Sequence, residues 1–458
     1  VTLGEEATIN TDNPNNDGDI TINQSINGAG DLTLDGGNGD ITINEAIGRT
    51  TAPLNVSLNG GTITLANIGK VTEAGVSDTA TINATEAINF TGEIYNAQNQ
   101  NYTADTAFNL NQTTTFTSDG GAIAFNTGTI RGTNSANLTL DADTGRVTVG
   151  AIGNGNEIKN LRIQGSEGIT LNGDITTADA ANNTINLNSR VTLGEDITVT
   201  NQGGEINFND SVDGAQDLTV NADNSTVVFA DDVGNRTALT NLTVNNGESV
   251  TFNNRVTVAD TIDLTADEID FKGKDNSVST PNQGTISLKP TTDNASIDIG
   301  SPANGEGNLD ISDRDLGAIA DGFSQITIGG ETGNGEIVLD SQGVSFHDPV
   351  TIQSPASGGE IKVNGDLTGT DDAAITINGE TVYLGNPDQP NVTLETAGQP
   401  ITLSQTIWLY AQKEVEVRIG GGGGDVTFTG DVTGRTPETQ SLTVAPGIGN
   451  VSFQGEIG

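Results

Sequence analysis

Asp19-Ile20-Thr21-Ile22-Asn23-Gln24-Ser25-Ile26-Asn27-Gly28 leads into Asp31-Leu32-Thr33-Leu34 and then into Ile41-Thr42-Ile43. In each short run an apolar residue alternates with Thr, and the apolar members are mostly β-branched. That period of two describes a strand with one buried face. The runs are too short to stand as free hairpins, so their spacing decides the fold. Ile20, Ile41 and Ile63 open successive runs, and Val147 and Ile169 do the same farther on. Ile206, Val227 and Val250 continue the series at the same near-constant interval. Leu218, Leu242 and Ile262 mark a second run between these markers. Shorter elements follow some of them, at Ala46-Ile47-Gly48, Val212, Val233-Gly234 and Val256.

Three short strands per interval, joined by turns rich in Gly, Asn and Asp, match one coil of a right-handed parallel β-helix. Equivalent strands then stack as parallel ladders about 4.8 Å apart. The apolar members point into a narrow core, and the Thr, Asn, Asp and Ser between them face water. One coil cannot bury its own apolar face, so each depends on its neighbours. The expected fold class is therefore all-β, a β-solenoid of about 21–23 residues per coil. At that length the chain amounts to about 21 coils in a single elongated domain over residues 1–458.

Composition narrows the chemistry. The 458 residues carry 61 acidic and 17 basic side chains, a formal charge of -44, with no Cys, one His and one Trp. A disulfide framework, a thiolate metal site and a multi-histidine metal site are excluded. Such a negative surface opposes binding to nucleic acid or to an anionic bilayer. No stretch approaches the roughly 20 apolar residues of a membrane helix. Low hydropathy with high charge can signal disorder, but the alternation persists to Val451-Ser452-Phe453, and a disordered chain has no reason to hold that phase. Gly, Asn and Thr, poor in helix interiors, are frequent throughout, so little helix is expected.

A longer echo runs through the first half. Residues 19–28 align with Glu205-Ile206-Asn207-Phe208-Asn209-Asp210-Ser211-Val212-Asp213-Gly214, and the offset of 186 holds without a gap through Val233-Gly234. Val1-Thr2-Leu3-Gly4-Glu5 echoes Val191-Thr192-Leu193-Gly194-Glu195 at a slightly longer offset, the difference falling in the loop Asn13–Asp17. The pattern weakens near 92–118 and 289–322, which are read as irregular loops on the wall of the coil. The chain starts and stops in pattern and lacks Met. It is therefore expected to be a segment of a longer protein, or to stack end to end on another copy.

The units Gly204–Gly214, Thr226–Gly234 and Ala238–Val244 resemble the repeats of large bacterial surface adhesins of the filamentous-haemagglutinin type. That resemblance covers most of the chain. It implies a secreted parallel β-helix passenger region at the surface of a Gram-negative-type bacterium, and it carries over no binding residue.

Some individual residues stand out on this frame. Calcium could be held weakly by acidic turns. Gly36-Gly37-Asn38-Gly39-Asp40 is one residue short of the calcium-roll nonapeptide and occurs once, and Gly420–Gly424 with Asp425 is no better. Asp231-Asp232, Asp371-Asp372 and Asp313/Asp315 are the acidic pairs to inspect, each by default a solvated turn. Trp408 and Tyr410 share parity, so on a strand they share a face. Outside, with Gln405 nearby, they would make a carbohydrate platform; inside, they would be core or edge packing, the favoured reading. Phe208, Phe229, Phe252 and Phe271 recur at coil spacing and read as internal stacking. His347, before Asp348-Pro349, reads as a satisfied surface residue. Lys272 with Lys274, and Lys413 with Arg418, are the nearest approach to basic clusters, too thin to hold an acidic sugar. Sequons such as Asn55-Val56-Ser57 are expected by chance in an Asn/Thr-rich chain.

No catalytic, cofactor or metal residue is assigned. The expected function is structural: an acidic extracellular or cell-surface rod, spacer or matrix component, able to continue or associate head to tail. A carbohydrate-binding adhesin surface is the first alternative. The second is a polysaccharide-degrading enzyme, whose carboxylates would converge in a groove made by the loops at 92–118 or 289–322.

Overall fold

The computed structural model describes residues 1–14, 17–70, 75–132, 135–178, 182–201, 203–300, 309–389, 391–419, 423–436 and 439–458. Among them the structure is β throughout, apart from a single short helix, Asp313–Ala318. Parallel strands stack as a β-solenoid of about 18 turns in all. The chain falls into two compact units, Val1–Asp232 and Val233–Gly458.

In the first unit the coil has three walls, and each wall is a ladder of one or two inward side chains per coil. One runs Ile20, Ile41, Ile63, Ile88, Phe108, Ile130, Ile152, Ile175, Val199, Val220. The next element along the chain contributes Ile26, Ile47, Ile68, Tyr95, Phe116, Leu140, Ile163, Leu187, Phe208, Phe229. The third wall follows Leu32, Val56, Ala80, Gln100, Ile123, Val147, Ile169, Val191, Val212. The chain visits the walls in constant order and leaves one rung on each per coil. Most of these side chains are fully buried. Phe208 and Phe229 stack at 4.7 Å between ring centroids.

Gln100 is the one polar rung. It is buried, donates from Nε2 to the Thr117 carbonyl (2.7 Å) and accepts the Tyr102 hydroxyl (2.8 Å). Each polar atom that burial strips of water thus has a partner. The Tyr95 hydroxyl donates to the Leu65 carbonyl (3.0 Å) and accepts from the Gly92 N–H (2.9 Å). Burial holds both phenols above the ordinary tyrosine range.

These tyrosines overturn one expectation. Residues 92–118 are not a loop on the wall. They form the long strand Ile94–Leu110, which bends through all three walls, and the strand Thr114–Thr117. Alternation is faint there because the core is built differently. Tyr95 stacks on Phe116 and Tyr102 on Phe125, each at 4.9 Å, with Phe90 edge-on to all four rings. Ala104 and Ala107 make room for them.

The long-range echo is likewise not structural. Ile20 stands on the wall of Val199, whereas the Ile206–Phe208 run stands on the wall of Ile26. An acid-apolar-polar-apolar run can build any wall, so sequence likeness does not mark position around the coil.

The second unit repeats the scheme. One wall runs Leu242, Ile262, Ile286, Ile326, Val350, Ile375, Ile401, Val426, Val451. A second runs Ile297, Ile337, Ile361, Val382, Ile407, Val432, Ile457. Phe252 and Phe271 stack at 5.4 Å within the unit. Most of its coils are a little longer than the sequence spacing suggests, as the steps from Val350 to Ile375, Ile401 and Val426 show. The coil from Ile286 to Ile326 is far longer, because it contains the extra strand Leu309–Ile311, paired with Ile297–Ile299, and the helix. Longer coils and this insertion lower the count to about 18 turns. The insertion lies within the region 289–322, of which 301–308 fall outside the described residues.

The acidic excess has a structural use that sequence reading assigned to solvated turns. Asp residues sit at coil corners, just before a strand. There a carboxylate oxygen accepts the backbone N–H of the equivalent residue one coil on. Asp19 takes Asp40 (2.9 Å), Asp40 takes Thr62 (2.8 Å), and Asp196 takes Asp217 (2.9 Å). In the second unit Asp425 takes Asn450 (2.8 Å) and Asp431 takes Glu456 (2.7 Å). Outward Asn residues also stack amide on amide, as Asn44 on Asn23 and Asn209 on Asn188, both at 2.7 Å.

Removing one such corner acceptor leaves an N–H without its charged partner. Asp196→Ala is expected to destabilise locally by about 1 kcal/mol, and Asp196→Asn, which keeps an oxygen, by about half that or less. Hydrogen exchange at the Asp217 amide reads both.

Candidate functional site: an aromatic platform on the outer wall

Of the 17 aromatic side chains, 13 are buried. Phe453 is one of the four that are not; Tyr383, Trp408 and Tyr410 are the other three and share one outer face of the second unit. Trp408 lies on the strand Ile401–Leu409 between Ile407 and Leu409, which both point inward, so its own side chain points out. Its register partners on the neighbouring coils are Tyr383 and Thr433, and Tyr383 is flanked in turn by Lys362. Lys362, Tyr383, Trp408 and Thr433 therefore form one outward ladder. Core or edge packing, the favoured expectation for Trp408 and Tyr410, is corrected: they are half-buried and face outward.

Tyr410 follows Trp408 by two residues and closes the group. Its ring lies 5.3 Å from that of Tyr383, edge to face at 68°. The Arg435 guanidinium sits 4.5 Å above the Tyr410 centroid, a cation–π contact that fixes the ring. The chain turns here at Gly385, with φ +93°. A Cβ there would come within 2.5 Å of the Ala411 backbone nitrogen, so only Gly lets the coils close up beneath the rings.

Beside the rings is a depression of about 360 Å³, lined by Glu360, Lys362, Asn364, Tyr383, Asn386 and Tyr410. Lys362 bridges the carboxylates of Glu336 and Glu360, the latter at 3.3 Å. Burial alone would lower its ammonium, but the two carboxylates outweigh that and hold it above the ordinary lysine range. The Tyr383 hydroxyl meets Glu360 at 3.4 Å. Burial and that carboxylate raise the phenol. Aromatic faces beside fixed amide, ammonium and carboxylate groups are the elements that hold a sugar ring: its C–H face stacks and its hydroxyls pair. Gln405 is not part of this group. It lies at an exposed bend with φ +67°, its side chain toward the Pro355 carbonyl.

The other singled-out residues lie apart. Gly36–Asp40 is a coil corner whose Asn38 N–H and side chain bind the Asp17 carboxylate at 2.9 and 2.7 Å. Asp425 serves Asn450 as above, and Gly420–Gly422 fall outside the described residues. Asp231 accepts the N–H of Asp232 at 2.9 Å, an ordinary turn. Lys272 pairs with Asp270 (3.0 Å). Lys413 is exposed, and the Arg418 side chain falls outside the described residues. His347 is exposed and contacts Thr370 (2.8 Å) and Asp371 (3.3 Å).

Two acidic groups emerge only when the coils are stacked. The first surrounds the helix. Asp315 caps it through Ser312 and accepts the Phe271 N–H (2.7 Å), filling a gap in the strand ladder. Burial raises the Asp315 carboxyl. Glu268 is pushed up to about 7, first by burial and then by Asp270, Asp310 and Asp315. The second unites Asp321, Asp348 and Asp372, whose nearest carboxylate oxygens all lie within 4.8 Å of one another. Asp348 is pushed up to about 6 by burial and by Asp321 and Asp372. It is the one grouping of three or more such ligands among the described residues. A depression of about 580 Å³ beside the insertion carries Lys289, Asp293 and Glu331. There Lys289 pairs with Asp263 (2.8 Å), and Asp293 accepts the Thr332 hydroxyl (3.0 Å).

Compared with known proteins, the chain matches no family model, no curated protein and no solved structure. No helix among the described residues is long and apolar enough to cross a membrane.

The Glu268 carboxyl sets a pH dependence. Its folded pKa of about 7 exceeds the 4.5 of a free glutamate. Between those values the folded state binds more protons, so stability falls as pH rises through that window. The melting temperature is expected to be higher at pH 5.5 than at pH 8 in chelator-treated buffer, and Glu268→Gln should flatten part of that slope.

Proposed function

We propose that this chain is a structural segment of a secreted exoprotein, acting as spacer or matrix component at a bacterial surface or in an extracellular fibre. The observation that carries this reading is the uniformity of the walls: apolar rungs inside, hydrogen-bonded Asp, Asn and Thr outside, coil after coil. Such a body consists mostly of surface and scaffold. The acidic exterior opposes lateral aggregation, and a Cys-free solenoid with local interfaces suits export unfolded and folding outside, coil by coil. The resemblance to filamentous-haemagglutinin-type repeats belongs to the same reading. Antibody labelling of intact, unpermeabilised source cells should decorate the surface or its fibres; labelling that appears only after permeabilisation, confined to the cytoplasm, would refute the proposal.

A specific observation favours a second reading, an adhesive surface for carbohydrate. Apart from Phe453, every aromatic ring left out of the core is gathered in the platform of Tyr383, Trp408 and Tyr410. Trp408→Ala and Tyr410→Ala are each expected to weaken binding to an immobilised surface polysaccharide about tenfold, the worth of one aromatic stacking contact. Melting temperature should barely move, because neither ring is in the core. Equal retention of wild type and both variants across a glycan panel would remove this reading.

A further inference from the structure

We infer that Asp321, Asp348 and Asp372 form a binding site for a divalent cation of the calcium type, fastening three consecutive coils at one corner. The backbone places them there. The Ile326 N–H donates to the Pro349 carbonyl (2.8 Å) and the Val350 N–H to the Ala374 carbonyl (2.9 Å), so the corners before Ile326, Val350 and Ile375 are stacked. Asp321, Asp348 and Asp372 each lie a few residues before one of these strands. Their carboxylate oxygens fall within 4.8 Å of one another, and calcium–oxygen distances of about 2.3–2.6 Å span that spread.

The second observation is Asp348 itself. It is only 1% exposed. One oxygen, Oδ1, accepts the Gly322 N–H at 2.9 Å. The other, Oδ2, is buried and has no hydrogen-bond partner. A buried carboxylate oxygen without a donor costs free energy, and the group faces two further carboxylates, against which the Gly322 and Phe323 N–H groups favour its charged form. His347, the residue before it, is engaged with Thr370 and Asp371 instead. A divalent ion supplies the missing charge, and Asp321 and Asp372, both exposed, leave room for water to complete an oxygen shell. Gly322, at φ +123°, a conformation that favours glycine, turns the chain so that its N–H reaches Asp348 Oδ1.

The ion would also have a mechanical role. Asp321 lies at the end of the longest coil, just beyond the helix and extra strand. Fastening Asp321 to the two coils that follow pins the insertion to regular wall. This inference stands apart from the proposed function, because it rests on the stacked corners, the three carboxylates and the unpartnered Asp348 Oδ2.

Isothermal titration of the full chain with CaCl2 tests it, after chelator dialysis and in about 0.15 M NaCl to screen diffuse counterion binding. One saturable site is expected with a Kd on the order of 10⁻⁴–10⁻³ M, the range of extracellular calcium modules. MgCl2 should compete weakly, since magnesium demands a tighter octahedron. Asp348→Asn keeps Oδ1 for Gly322 and should lose at least about tenfold in affinity, and the exposed Asp372→Asn about fivefold or more, through loss of ligand charge. Asp231→Asn, an acidic turn elsewhere, should bind as wild type. In chelator Asp348→Asn should melt no lower than wild type, and calcium should raise the melting temperature of wild type and of Asp231→Asn but not that of Asp348→Asn. Absence of a saturable site, or Asp348→Asn and Asp372→Asn both binding within about twofold of wild type, would overturn the proposal.

Discussion

No coil of this protein can bury its own apolar face. Each is three short strands whose inward side chains meet across a narrow interior and whose N–H and C=O groups point along the stacking axis. Every coil must therefore be satisfied by the coils on either side, in three separate ladders at once. Most of the chain's features follow from this. The apolar fraction can be as low as 33% because the core is a thin column fed by one or two side chains per wall per coil. Bulk is added where the column allows it, as rings stacked on rings at Phe208 and Phe229, or as the cluster of rings around Phe90.

The same constraint explains the charge. A corner exposes one backbone N–H per coil to competition from water. An Asp one coil earlier, set just before its strand, covers that N–H with a carboxylate oxygen. Repeated along both units, this device loads the exterior with acid at exposed corners. Where the corners of Asp321, Asp348 and Asp372 bring three acids together instead, the repulsion is concentrated on one buried side chain. Asp348 reverses the usual stitch, accepting the N–H of Gly322 on the preceding coil, and the proposed cation site lies where this corner meets those of Asp321 and Asp372.

The walls were largely legible in the amino-acid sequence, since period-two triplets at near-constant spacing specify both strand and stacking. The segment 92–118 was not, because its inward positions alternate Ala with Tyr and its one polar rung, Gln100, is a core residue in disguise. The number of turns was overestimated because coil length was taken from the most regular stretch, while the second unit runs longer and hides one much larger coil. The aromatic platform was half legible. The shared parity of Trp408 and Tyr410 was visible, but which face was outside depended on their neighbours, and the third ring, Tyr383, lies one coil away. Asp371-Asp372 was noticed as a pair. Its partners across the corner, Asp321 and Asp348, belong to the two preceding coils, and nothing in local pattern connects them before the coils are stacked.

The central claim is that residues one coil apart stand in register as neighbours, and residues two coils apart do not. The chain has no cysteine, so introduced pairs report register without background. Thr42 and Thr64 are register partners facing outward, and Asn89 is the next rung beyond Thr64. Adjacent parallel rungs lie about 4.8 Å apart and alternate ones about twice that, inside and outside the span of a disulfide. Under mild oxidation the double variant Thr42→Cys/Thr64→Cys should cross-link within the chain, read as a free-thiol loss by mass spectrometry, while Thr42→Cys/Asn89→Cys should stay reduced. Equal cross-linking of both pairs, or of neither, would contradict the stacked-coil account.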